Sequence, residues 1–258
     1  VIAPVRELGL ERPQALARLR EWGVPEPPAA GRYSVNAGLW GTTLGGGWTH
    51  DPWQGPPADA WPEPAEPAPE PAECVVEWRE GLPTALDGEA LAGPQLVEAL
   101  DRRLRAYRIG RGIHLGETVL GIKGRIGFEA AAAQVLIAAH RELEKLVLTR
   151  WQSFWKDHLA QFWGDRLHEG QAFDPAMRDI EALIESSQRR VAGRTRVLLA
   201  EGRFLVTGVA SPYALMDPKV ARYGESHAAW TGDEARAFAA ISGLPSRLAA
   251  AAGEAPPW

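Results

Sequence analysis

The chain is 258 residues long, with 28 basic and 33 acidic side chains and a formal net charge of −5. A hydrophobic share of 45% supports a packed core and excludes wholesale disorder, and an acidic balance without a basic block speaks against nucleic acid or an anionic membrane as the main partner. A single cysteine, Cys74, excludes an internal disulfide framework and a multi-cysteine zinc site, and is compatible with a reducing cytosol. The longest apolar run, residues 128–140, is interrupted by Glu129 and is far too short to span a bilayer. The amino end starts at Val1 without a methionine or a signal-peptide profile, which reads as a chain entered partway through.

In chain order, Leu16, Leu19, Arg20 and Trp22 fit a short amphipathic helix ended by Gly23 and Pro25. Residues 32–47 read as a glycine-punctuated loop. Residues 55–72 hold seven of the 21 prolines, interleaved with Asp59, Glu63, Glu66 and Glu70. Proline neither donates to a sheet nor continues a helix and the acids repel one another, so this is an extended spacer; an SH3-type proline-rich ligand is the sharper alternative. Residues 75–78 and 84–86 predict a hairpin around Glu80-Gly81, and Pro94 opens a helix through Leu96, Val97, Leu100 and Leu104.

Residues 109–115 and 119–126 predict short glycine-rich strands. From 129 to 163 no proline occurs, and Leu136, Leu143, Val147, Trp151, Trp155 and Phe162 recur at helical steps. One helix there would reach about 50 Å, so it bends after Trp151 or gives part of its face to another subunit. A further helix spans 175–191, and residues 196–208 form a hairpin turning at Glu201-Gly202. Short helices close the chain at 233–241 and 246–252. Strands and helices mix without regular alternation, which predicts an α+β fold: a mixed, mainly antiparallel sheet with a long helix.

The six histidines and Cys74 show no metal-ligand spacing, and no serine sits in a glycine-flanked nucleophile elbow. Gly45-Gly46-Gly47 and Gly121-Ile122-Lys123-Gly124-Arg125 lack the spacing of a phosphate loop, and the triple glycine is accounted for by a turn needing positive φ. Lys123 and Arg125 alternate with Ile122 and Ile126, which places both cations on one side of a strand. That side is either a solvated face or a cationic wall over an anionic substrate. Ser34, Asn36, Thr42 and Thr43 offer hydroxyl and amide groups in a loop whose glycines admit a ligand to the backbone. They suit a zwitterion, or they cap their own turns.

Several segments together resemble the carboxy-terminal synthetase and multimerisation region of the argininosuccinate synthase family: Ile2-Ala3-Pro4-Val5-Arg6; Tyr33-Ser34-Val35-Asn36 with Leu39-Trp40-Gly41; Gly110-Arg111-Gly112-Ile113 with Gly121-Ile122-Lys123-Gly124-Arg125 and Phe128-Glu129-Ala130; and residues 138–144, 187–193 and 208–212. Each block is short, but their order is specific and covers nearly the whole chain. The resemblance implies an ATP-dependent ligase of arginine biosynthesis that joins citrulline and aspartate, releasing AMP and pyrophosphate. It places ATP and its Mg2+ mainly on an amino-terminal half that nothing here resembles, so the isolated chain is expected to be inactive. A cytoplasmic homotetramer is expected, with carboxy-terminal helices taking part in oligomerisation.

By the same resemblance, Ser34 aligns with a serine that holds citrulline, and Thr43 replaces a second serine. The family's citrulline-binding glutamate falls on Gly116, with Glu117 one position later, and its tyrosine partner falls on Phe128, as in a divergent branch of the family. Ala131 stands where many relatives have proline. Asn36, Lys123 and Arg125 are possible supporting residues; the catalytic groups are not assigned. The expected organisation is 1–31 as the end of the nucleotide-binding half and a connector, 32–230 as the synthetase and multimerisation domain, and 231–258 as a helical tail. The rival reading is a non-catalytic oligomerisation or amino-acid-binding module on the same scaffold.

Overall fold

The computed structural model describes residues 2–25, 33–61, 68–217, 219 and 229–253. Val1, part of the proline-rich spacer (62–67) and the last five residues lie outside the described residues. Two compact units divide at Tyr213 and Ala214, and each is taken by itself.

In the first unit, α1 (Pro4–Glu7) and α2 (Arg12–Glu21) lead into β1 (Tyr33–Gly38) and β2 (Gly41–Gly46). The segment read as a loop is therefore a hairpin, with Leu39-Trp40 as its turn and Asn36 opposite Thr43. Its glycines hid the strand propensity, but the alternation was present: Thr42 and Leu44 are buried, and Thr43 between them is only half-buried. Gly41 is indispensable. At φ +134°, any Cβ there would press into the carbonyl oxygen of Glu129.

Next come β3 (Ala72–Arg79), β4 (Leu82–Leu86), β5 (Glu89–Ala90) and α3 (Gly93–Ala106), followed by β6 (Arg111–Glu117) and β7 (Lys123–Glu129). The spacer before β3 is partly anchored: Ala58–Ala60 make one 3-10 turn, and the Tyr107 hydroxyl donates to the Glu70 carbonyl at 3.1 Å. The second glycine-rich strand starts later than its composition predicts, because Thr118 and Gly121 close a turn through backbone bonds, Thr118 accepting from Gly121 at 2.8 Å. The hairpin around Glu80-Gly81 forms as expected, both residues having positive φ.

The proline-free stretch is two helices, α4 (Ala131–Val147) and α5 (Arg150–His168), broken at Leu148-Thr149, earlier than the expected bend after Trp151. Thr149 caps α5: its backbone N–H donates to Gln152 Oε1 at 3.0 Å, and its hydroxyl accepts from the Gln152 N–H at 3.4 Å. A Thr-x-x-Gln capping box therefore ends the apparent continuity. After α6 (Pro175–Gln188), β8 (Gly193–Ala200) and β9 (Arg203–Ala210) form the second hairpin on the Glu201-Gly202 turn.

Two antiparallel sheets result, ordered β1-β2-β7-β6 and β5-β4-β3-β8-β9. Strand alternation sends Cys74, Val76 and Trp78 of β3 inward with Val197 and Leu199 of β8, where α3 and α4 supply Leu96, Leu100, Leu104, Val135, Ala139 and Leu143. The architecture is α+β, as expected. The second unit contributes α7 (Gly232–Ser242), capped by Thr231 with Glu234, and α8 (Leu244–Gly253). Among the described residues, no helix is long and apolar enough to cross a membrane.

Candidate functional site

Every candidate residue lies on the first sheet, and its register sorts them. Asn36 is opposite Thr43, Thr43 opposite Phe128, and Phe128 opposite Gly112, so these four form one row across β1, β2, β7 and β6 on a single face. Ser34 is two residues from Asn36 and shares that face. Along β6, His114 and Gly116 share it too, His114 standing opposite Ile126 and Gly116 opposite Gly124. We call this the open face, because Ser34, Asn36 and His114 are exposed and Gly45 and Gly124 leave part of its floor bare. The Phe128 ring lies over Gly112.

Glu117, Lys123 and Arg125 have the opposite parity and stand on the reverse face. Glu117 lies directly across from Lys123 and is ion-paired with it; that hydrogen bond and charge hold its carboxyl below the usual range. Arg125 donates to the carbonyls of Asp51 at 2.8 Å and Gln54 at 2.5 Å, and its guanidinium lies over the Trp48 ring, 5.2 Å from the centroid. It thus fastens the segment after β2. The structure brings Ser34, Asn36, Thr43 and Phe128 together and separates Glu117, Lys123 and Arg125 from them.

The reverse face also carries a buried charge cluster that sequence reading missed. The Glu129 carboxylate, 2% exposed, accepts from Arg111 Nε at 2.9 Å and pairs with Arg105 Nη1 at 3.5 Å. Arg105 also donates to Asp101 at 2.6 Å. Two guanidiniums around one carboxylate make this a fastening between α3 and the sheet. The signal was available: Glu129 follows Phe128 and so alternates onto the inner face.

A second buried polar cluster joins the helices. Glu144 of α4 accepts from Lys156 of α5 at 2.6 Å and from Gln188 of α6 at 2.8 Å, while His140 shares a 2.9 Å hydrogen bond with Gln188. Burial pushes the His140 pKa down, against the pull of Glu144. Burial also opposes the charge on Lys156, but its bonds to Asp157 and Glu144 outweigh that and raise its pKa.

Neither glycine-rich candidate forms a phosphate cradle: Gly45 and Gly46 lie within β2, Gly47 opens a 3-10 turn, and Gly121 sits in the β6–β7 turn. Among the described residues, no group of three or more His, Cys, Asp or Glu is placed to hold a metal ion. A groove of about 540 Å3 runs between α4 and β9, lined by Ile137, Arg141, Lys145 and Leu205 among others, and shares no residue with the open face.

Comparison with known proteins gives a consistent picture. The arginosuccinate synthase C-terminal domain family matches residues 33–249. Argininosuccinate synthases of Xanthomonas campestris pv. campestris, Dehalococcoides mccartyi and Xylella fastidiosa are 38%, 35% and 37% identical to it, covering 96%, 97% and 96% of this chain. The matched parts amount to 64%, 62% and 63% of those relatives, so the chain spans just under two thirds of their length.

Proposed function

Since the chain belongs to the argininosuccinate synthase family, we propose that it is the carboxy-terminal part of an ATP-dependent carbon–nitrogen ligase of arginine biosynthesis, and that this part binds citrulline and builds the oligomer. One observation carries the binding proposal: Ser34, Asn36, Thr43 and Phe128 share the open face of the first sheet. Two hydroxyls and an amide supply donors and acceptors for the polar ends of a small amino acid, and the Phe128 ring offers its aliphatic stem an apolar wall. Gly45 and Gly124 leave room for the ligand to approach the backbone.

In this reading, ATP, Mg2+ and most aspartate contacts belong to the region of the relatives that this chain does not span. The residues here bind and orient one substrate: hydroxyl hydrogen bonds fix citrulline so that its ureido oxygen is presented for activation, and the sheet keeps that geometry rigid. The exposed apolar side chains of α7 and α8, including Phe238, Ile241 and Leu248, supply surface for assembly into a tetramer, the state proposed for the cytoplasmic enzyme.

Calorimetric titration of the 258-residue chain with L-citrulline tests the proposal. Heat of binding at millimolar ligand that is lost in Ser34→Ala and Thr43→Val supports it, and no heat removes the citrulline site. The chain alone, supplied with ATP, citrulline and aspartate, is expected to make no argininosuccinate. Product formation would refute the division of labour, and citrulline binding without any oligomer would favour the amino-acid-binding module.

A further inference from the structure

We propose that His114, in place of Glu117, is the ionisable side chain that decides which amino-acid ligand the open face accepts, and that it takes the ligand by its carboxylate. This rests on the citrulline reading and extends it to the specificity of the same site.

Three observations carry the inference. First, His114 stands opposite Ile126, two residues along β6 from Gly112, which lies in the row with Phe128, Thr43 and Asn36; its side chain therefore emerges on the open face. Second, the imidazole lies along the strand over Gly116. A Cβ built on Gly116 would collide with His114 Nε2, so the ring fills the volume that any side chain at position 116 would enter. Third, Glu117 cannot supply that volume with a carboxylate, because its strand position turns it to the reverse face, where Lys123 holds it.

The consequence is electrostatic. At the described open-face positions the polar groups are Ser34, Asn36, Thr43 and His114, with no acidic side chain among them. A ligand ammonium meets neutral hydroxyl and amide acceptors but no carboxylate there, whereas a carboxylate meets hydroxyl and amide donors and the imidazole N–H in addition. The face is built to recognise the carboxylate end of its ligand.

The test is an NMR titration of the full 258-residue chain, carrying 15N-labelled imidazoles, with L-citrulline, Nα-acetyl-L-citrulline and L-citrulline amide. The expected result is that citrulline shifts the His114 imidazole resonances, the acetyl derivative binds within about threefold of citrulline, and the amide at least about tenfold more weakly. His114→Ala is expected to lose about tenfold in affinity, His114→Gln to recover part of that, and Glu117→Gln to stay within about twofold. A folded spectrum of each variant separates loss of binding from loss of structure. Citrulline binding that survives His114→Ala unchanged, or that falls with Glu117→Gln, overturns this inference and leaves the citrulline reading standing. An amide that binds better than the acetyl derivative also overturns it. Wild-type chain that ignores citrulline at millimolar concentration refutes both.

Discussion

The Lys156 ammonium of α5 lies 2.6 Å from the Glu144 carboxylate of α4, across the helix break, with both side chains nearly out of solvent. The pair is part of what sets α5 relative to α4 after the capping box at Thr149 has ended the first helix. Lys156→Met removes one partner and leaves a buried carboxylate with the Gln188 amide and the His140 ring, 3.8 Å away, which is expected to cost about 3–5 kcal/mol. The double variant Lys156→Met with Glu144→Leu removes both charges and is expected to regain most of that loss. Urea unfolding of the three proteins measures it, and a double variant no better than the single one would contradict the ion-pair account.

His140 gives this cluster a pH dependence. Burial against the Trp78 ring, with Lys156 and Arg141 nearby, lowers its pKa in the folded chain despite Glu144 and the Gln188 bond, so the unfolded chain takes up the proton first. Stability therefore falls as pH drops from about 7 through the unfolded value of about 6.5, and levels off below the folded value. His140→Gln keeps an amide there and removes the titration. Between about pH 7 and 5, its unfolding free energy is expected to decline less than that of the parent chain.

Gly41 and Gly202 both have positive φ but differ in surroundings. A methyl group at Gly202 meets nothing within 4 Å, whereas at Gly41 it meets the Glu129 carbonyl and the Ala130 backbone. Gly202→Ala is expected to cost about 1 kcal/mol, and Gly41→Ala clearly more, about 3 kcal/mol, because the β2–β7 ladder must shift. Denaturation midpoints of the two variants decide it; equal losses would show that the close approach at Gly41 carries no weight.

Arg125 serves the backbone in this structure. Arg125→Ala removes its bonds to Asp51 and Gln54 and the cover over Trp48, at a cost of about 1.5–3 kcal/mol. Amide exchange is expected to accelerate over residues 47–54 while β3 and β8 keep their protection. Unchanged exchange there would mean that the segment is held by other contacts.

Burial also makes Cys74 a test of the core. Loss of solvation pushes its thiol up to about 11, so little thiolate exists at neutral pH. A thiol reagent is expected to label the native chain only on the timescale of unfolding, and the denatured chain at once.

The amphipathic helices and the second sheet were legible because their patterns are local. Leu96, Leu100 and Leu104 repeat at helical spacing, and Cys74, Val76 and Trp78 alternate at strand spacing. The family was legible from ordered short blocks, each needing no partner elsewhere in the chain. The first hairpin was missed because glycines at 38, 41, 45 and 46 carry no strand propensity of their own; pairing with β7 supplies the strand structure that the residues lack.

By itself, then, the sequence determined the family, the α+β class, and the residues Ser34, Asn36, Thr43, Glu117 and Phe128 as a group worth locating. Only the tertiary structure decided which of them share a surface. A strand exposes alternate residues to opposite sides, so the face given to Glu117 depends on the pairing that the turn at Thr118–Ile122 imposes, and a slip of one residue would exchange it with Gly116. That pairing is a contact between β6 and β7, and no pattern within either strand contains it.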